Sequence, residues 1–183
     1  MLIRRLERHD AEAYRALMLA AYALEPEAFT ATVEERRSVP LDFWEARIES
    51  PDGDRAAFGL FASGELMGAV ALEFSRRPRT AHRGRVVGMF VAPEVRGAGH
   101  GRALFESALA AARARPGLAQ LILTVTENND VARRFYARFG FEAFGVEPMA
   151  VRTETGFLRK VHLSLILDGE ERRPVASTGD PFP

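Results

Sequence analysis

The spacing of apolar residues changes several times along this chain, and each change marks an element. Residues 2–6 read as a short first strand. Ala13, Tyr14, Leu17, Met18 and Ala21 then recur at helical spacing. Asp10 is placed as the N-cap of that helix, with Glu12 in its first turn. The helix is predicted to end near Glu25-Pro26, because proline disfavours the helical region in the residue before it. Residues 24–38 have no clean period and read as a loop with room for a helical turn. Pro40 suits the first turn of a second helix, with Leu41, Trp44 and Ile48 on one face and Trp44 in the core. Pro51-Asp52-Gly53-Asp54 is a turn signal. Two strand-like runs, 58–62 and 66–74, are joined by Ser63-Gly64 and predict a β-hairpin.

The second half of the chain alternates strand and helix. Residues 86–91 are an apolar, β-branched run of strand length, closed by Pro93. The sequence R-G-A-G-H-G at 96–101 follows, then Leu104, Phe105, Ala108, Leu109 and Ala112 at helical spacing. That helix is predicted to run to about Arg115, with Arg113 and Arg115 in its last turn and Pro116-Gly117 as its stop. Residues 118–126 form the next strand, so strand, helix, strand predicts two parallel neighbours. Residues 127–130 offer several capping side chains. Val131, Ala132, Phe135, Tyr136 and Phe139 share one helical face, and Gly140 is the natural residue past the helix end. Residues 141–146 read as a strand, and after Pro148 a polar link leads to an alternating strand over 157–167. One domain over 1–167 is expected, with a polar, proline-rich, disordered tail over 168–183.

Composition narrows the chemistry. The chain has 183 residues and a formal net charge of +0, so no overall field favours nucleic acid or an anionic membrane. It has no cysteine, which excludes disulfides, thiolate nucleophiles and zinc–thiolate sites. The four histidines at 9, 82, 100 and 162 show no metal-ligand spacing, and no metal is expected. No segment reaches the ~18 apolar residues of a membrane span, and the first residues lack the apolar core of a signal peptide. A cytoplasmic protein is expected. The basic run 75–85 reads as a solvated hairpin tip. About six residues at ~3.3 Å each separate it from the glycine turn.

The glycine turn is the first candidate for chemistry. Free N–H groups and the positive dipole end at a helix start make an anion site. Glycines let backbone approach a bulky anion such as a pyrophosphate, and Arg96 adds a fixed cation. The glycines at 97, 99 and 101 do not fit G-x-G-x-x-G, and the G-K-[ST] of a nucleotide loop is missing. On this turn alone, phosphate binding and a flexible linker stand as equal readings.

A second stretch changes the balance. V-x-P-x-x-R-G-x-G-x-G at 91–101 is followed by N-x-x-A-x-x-x-Y-x-x-x-G-F, comprising Asn129, Ala132, Tyr136, Gly140 and Phe141. Together, over about residues 2–167, they resemble the GNAT superfamily of acetyl-CoA-dependent N-acetyltransferases. The resemblance implies an α/β (α+β) fold: a mixed central sheet of about seven strands, splayed between the 86–91 and 119–126 strands and flanked by about four helices. It implies that acetyl-CoA, as co-substrate, lies in the splay. Its pantetheine would pair with backbone of Met89, Phe90 and Val91, and its pyrophosphate would sit on Arg96, Gly97, Ala98, Gly99, His100 and Gly101. Asn129 would help anchor the pantetheine. Tyr136 would point at the thioester sulfur and protonate the leaving thiolate, and a backbone N–H near Met89 would steady the oxyanion.

The resemblance also implies an acceptor site shaped by 24–38 and about 147–160. The acceptor would be a small-molecule amine, a peptide N-terminus or a lysine, and the enzyme a monomer or homodimer. Glu25, Glu27 and Phe29 are candidates to receive the amine. Arg159-Lys160 would favour a carboxylate on it. The position early in the central strand where some relatives carry a glutamate is near Arg85 here. Glu73, Glu25, Glu27 and a water chain therefore stay open as the base. Two other readings stand beside this one: another acyl-CoA donor, and a non-catalytic module that senses acetyl-CoA.

Overall fold

Strand β1 (Leu2–Arg5) leads into helices α1 (Ala11–Leu24), α2 (Val33–Arg37) and α3 (Leu41–Ile48). A hairpin of β2 (Arg55–Ala62) and β3 (Glu65–Phe74) follows, then β4 (Arg83–Val91), α4 (His100–Arg113), β5 (Gln120–Thr126) and α5 (Asp130–Ala137). The hairpin of β6 (Glu142–Thr153) and β7 (Gly156–Ile166) ends the fold. This computed structural model describes residues 1–167, and the expected disordered tail lies outside them. The strands form one mixed sheet in the order β1-β2-β3-β4-β5-β7-β6. Among the described residues, only β4 and β5 pair in parallel.

Side-chain alternation splits the interior into two cores. On β3, Val70, Leu72 and Phe74 join the core under α4, while Ala69 and Ala71 join the one under α1 and α3. The first is filled by Leu104, Phe105, Ala108, Leu109 and Ala112 of α4, each at most 5% exposed. The second is filled by Tyr14, Met18, Trp44 and Ile48, each at most 1% exposed. Each fully buried large side chain contributes about 1.5–3 kcal/mol through removal from water.

The sheet parts in its middle. β4 and β5 pair only at Arg83↔Gln120, Gly84↔Leu121 and Arg85↔Ile122. Beyond Arg85, β4 stays with β3 and β5 with β7. The β3–β4 register slips between Ala69 and Ala71, where Gly88 has a φ of +60°. A Cβ on Gly88 would lie 3.4 Å from the Tyr14 hydroxyl, so this kink lets α1 sit close against β4. The predicted splay is therefore present, and its cause is a bulge that turns β4 away from its parallel neighbour.

Several elements differ from expectation. The described residues hold five α-helices, because α2 forms inside the stretch read as a loop with room for a helical turn. Thr32 accepts from the Glu35 amide at 3.2 Å while the Glu35 carboxylate accepts from the Thr32 amide at 2.7 Å. That capping box was written in the sequence as T-x-x-E. Asp10 holds the N-cap position of α1 without capping it. Its carboxylate accepts instead from Arg4, at 2.7 Å to each oxygen, and from the Glu7 amide at 2.8 Å. β6 runs through Pro148 rather than stopping there. It is the edge strand, and an irregularity between Glu147 and Val151, with Met149 at φ +51°, accommodates the missing N–H. Arg115 lies beyond α4, donating to the Gly53 carbonyl at 2.7 Å and stacking on Phe74.

Candidate active site

The gap between β4 and β5 opens into a cleft of about 1120 Å³. One wall is Met89, Phe90 and Val91 of β4, whose edge toward β5 has no strand partner beyond Arg85. The opposite wall is Thr126, Asn128 and Asn129 with Ala132, Phe135 and Tyr136 of α5. The floor at one end is the turn carrying Arg96, Gly97, Gly99 and Gly101, and a rim is formed by Glu25, Glu27 and Phe29. Four sequence-separated stretches predicted to share a site thus meet at one opening. Glu73 is not part of it. It lies on β3 between Arg55 and Arg85 in register, away from the cleft wall. Ala98 and His100 belong to the turn but not to the lining. The His100 ring is turned back on the Val95 carbonyl at 3.0 Å.

The turn is built to leave amides free. Gly97 and Gly99 have φ of +87° and +81°, a region costly for other residues, and a Cβ on either would meet nothing within 4 Å. Their glycines are thus required by backbone conformation rather than by packing within the chain. Gly99 caps α4 without a side chain. The Arg96 amide donates to the Pro93 carbonyl and the next amide engaged is Ala103, to Gly99. The amides of 97–102 have no partner among the described residues. They stand at the positive end of a 14-residue helix, an arrangement suited to phosphate oxygens. Of the amides expected to face the pyrophosphate over 96–101, that of Arg96 is engaged by Pro93 and those of 97–101 are unpaired.

Arg96 is held where the turn meets the rim. Its Nε donates to the Val91 carbonyl at 2.8 Å, and both terminal nitrogens lie 3.2 Å from Glu25 Oε1. The guanidinium rests over Phe90. The rim is tied across the split sheet as well. Thr126 donates to the Glu27 carbonyl at 2.5 Å, Asn128 to the Glu27 carboxylate at 3.3 Å, and Lys160 to the Thr30 hydroxyl. Glu27 forms no ion pair with a cation among the described residues.

Tyr136 is 9% exposed and lines the cleft. Its hydroxyl donates to the Met89 sulfur at 3.5 Å, a weak acceptor. Burial pushes its phenol above the usual tyrosine value near 10, so it carries its proton throughout the neutral range. Its place is fixed by Phe105 of α4, whose ring meets Phe135, Tyr136, Phe139 and Phe141 at centroid distances of 4.6–6.0 Å. Asn129 caps α5, its side-chain oxygen accepting from Ala132 N–H at 3.0 Å. Its side-chain NH₂ makes no hydrogen bond among the described residues. Val131, expected on the apolar face, is instead 73% exposed at the cleft mouth.

Comparison with known proteins agrees with this geometry. The acetyltransferase (GNAT) family pattern matches residues 18–141, spanning both the glycine turn and Tyr136. The chain belongs to the GNAT acetyltransferase family. It is 34% identical over 134 residues, 72% of its length, to a mycothiol acetyltransferase of Salinispora tropica, and 36% identical over 143 residues to one of Thermobispora bispora. The matches cover 41% and 45% of those relatives, so the chain spans less than half their length. Among solved structures, a GNAT acetyltransferase of Streptococcus pneumoniae superposes with a TM-score of 0.74 at 25% identity, covering 90% of this chain and 98% of that one. The acetyltransferase yncA of Salmonella typhimurium, solved with its cofactor acetyl-CoA, gives 0.77 at 21% identity, with 96% and 98% covered. Among the described residues of this GNAT chain, no helix is long and apolar enough to cross a membrane, and no group of three His, Asp or Glu side chains gathers as a metal site.

Proposed function

We propose that this chain transfers the acetyl group of acetyl-CoA to a primary amine by direct attack within a ternary complex. One observation carries the reading. The sheet parts beyond Arg85 into a cleft with an open strand edge, six free amides at one end and a phenol in its lining. The pantetheine of acetyl-CoA adds to the β4 edge as an extra strand, and its pyrophosphate takes the amides of 97–102 together with Arg96. The thioester then lies beside Tyr136.

In this reading the neutral amine attacks the thioester carbon, and a backbone N–H at the β4 kink near Met89 stabilises the oxyanion. Collapse of the tetrahedral intermediate breaks the C–S bond and leaves a thiolate, to which Tyr136 donates its proton, and the proton shed by the newly bonded nitrogen restores the phenol. A phenol raised by burial holds its proton until that charge appears. The acceptor begins as an ammonium and must lose a proton first. Glu27 is the carboxylate on the rim without a cation partner, and it accepts that proton through water. Glu25 serves Arg96 instead.

The test is a thiol-release screen with acetyl-CoA over amino acids, polyamines, aminoglycosides and peptide N-termini, with mycothiol-related amines added because of the relatives' name. Acetylation of at least one class is expected. Tight acetyl-CoA binding with no acceptor consumed would instead support the sensing module, and faster release from a longer acyl-CoA would change the donor.

A further inference from the structure

Burial singles out one polar side chain at the cleft. Among the described residues, the buried polar side chains are Asp10 and Thr126, at 6% and 1% exposed. Asp10 is outside the cleft lining and is accounted for by Arg4 and the Glu7 amide. Thr126 ends β5 and lines the cleft. A hydroxyl taken out of water costs free energy unless it is hydrogen-bonded. The Thr126 hydroxyl donates to the Glu27 carbonyl at 2.5 Å.

The need runs both ways. The rim loop after α1 has few backbone bonds of its own. The Glu25 amide donates to the Ala21 carbonyl at 2.9 Å and the Ala28 amide to the Glu25 carbonyl at 3.0 Å, while Pro26 has no N–H to give. The Glu27 carbonyl has no partner besides Thr126 among the described residues. Side chains from the far half of the parted sheet hold the loop instead. Asn128, two residues beyond Thr126, donates to the Glu27 carboxylate at 3.3 Å, and Lys160, opposite Thr126 in register, donates to the Thr30 hydroxyl. Both of those bonds are open to solvent. That of Thr126 is sealed from water, where a hydrogen bond is electrostatically stronger. The Thr126 carbonyl also accepts from the Asn129 amide at 2.9 Å, at the start of α5. One residue thus joins the rim loop to the helix that carries Tyr136.

We infer that Thr126 is a positioning residue for Glu27. Its hydroxyl fixes the backbone at Glu27, and Asn128 orients the side chain, so that the carboxylate keeps its place on the cleft rim. The inference rests on the acetyl-transfer reading, in which Glu27 takes the proton of the acceptor amine. Without the hydroxyl, the loop keeps its two backbone bonds and loses its anchor across the seam. A reacting group misplaced by about 1 Å costs on the order of 10²-fold in rate.

Thr126→Val keeps the shape and removes the donor, and Thr126→Ser keeps the donor. Each is made in the wild type and in Glu27→Gln, and kcat/KM is measured for the acceptor that the thiol-release screen identifies. In the wild-type background Thr126→Val is expected to lower kcat/KM about 10–100-fold with acetyl-CoA affinity unchanged, and Thr126→Ser to recover most of the loss. In Glu27→Gln, Thr126→Val is expected to cost nothing further, because the group it positions is gone. Asn128→Ala changes an exposed side chain and stands in should Thr126→Val not fold. It is expected to show a smaller loss with the same dependence on Glu27. A loss of equal size in both backgrounds, or no loss, overturns the inference. Hydrogen exchange over residues 24–30 separates the two readings. That segment is expected to exchange about tenfold faster in Thr126→Val and near the wild-type rate in Thr126→Ser. Faster exchange without turnover of any acceptor removes the transfer reading and keeps Thr126 as the anchor of the loop. Turnover with unchanged exchange keeps the transfer reading and overturns the anchor.

Discussion

At the scale of single residues, environment decides what each side chain does. Tyr136 shares an apolar helical face with phenylalanines, and sequence spacing alone assigns it to the core. The structure buries it and aims its hydroxyl at a sulfur across the cleft. Tyr136→Phe keeps the ring and removes the donor, so kcat is expected to fall about 10²-fold or more while acetyl-CoA affinity changes little. Stopped-flow and equilibrium binding measure the two separately. The raised phenol also predicts that kcat shows no alkaline loss attributable to Tyr136 up to the usual tyrosine value near 10. Asp10 is the opposite case. The hydrogen bond from Arg4, opposed by burial and aided by the Glu7 amide, holds its carboxyl below the usual 3.8. A depressed folded pKa contributes stability that is present above the unfolded value and is lost as pH falls through the folded one. Asp10→Asn is therefore expected to be less stable than wild type at neutral pH, and the gap should close in acid denaturation below that value.

At the scale of elements, α4 and α5 form one unit. Phe105 is fully buried, and its ring supports the phenylalanines around Tyr136. Phe105→Ala is expected to cost about 3–5 kcal/mol by urea unfolding. The freed α5 should lower kcat more than it alters acetyl-CoA binding, because the free amides of 97–102 lie on the turn and not on α5. The short α2 shows how local signals are missed. Its T-x-x-E box sits in a stretch with no hydrophobic period, and period dominated the reading. β6 shows the converse: Pro148 reads as a break, yet an edge strand with a bulge tolerates it.

At the scale of the whole molecule, the core under α4 draws on β2, β3, β4, β5 and β7, while the two halves of the sheet meet along a seam only three residue pairs long. A ligand that bridges the seam binds only the folded state. Acetyl-CoA at 100 times its Kd is expected to add about 2.7 kcal/mol, raising Tm by roughly 5–10 °C for a domain of this size. ATP, without a pantetheine arm to lie along β4, should add far less. Differential scanning fluorimetry with the two ligands measures the difference.

The order of the strands and main helices, the glycine turn, a helix cap within 127–130 and the helical position of Tyr136 were all legible in the sequence. Each rests on interactions within a few residues, where spacing and backbone preference speak directly. The pairing of Arg96 with Glu25 and the exclusion of Glu73 from the cleft were not legible. They depend on which strands lie side by side and on where β4 leaves β5. Those choices are made by packing between residues far apart in the chain, and local pattern carries no record of them.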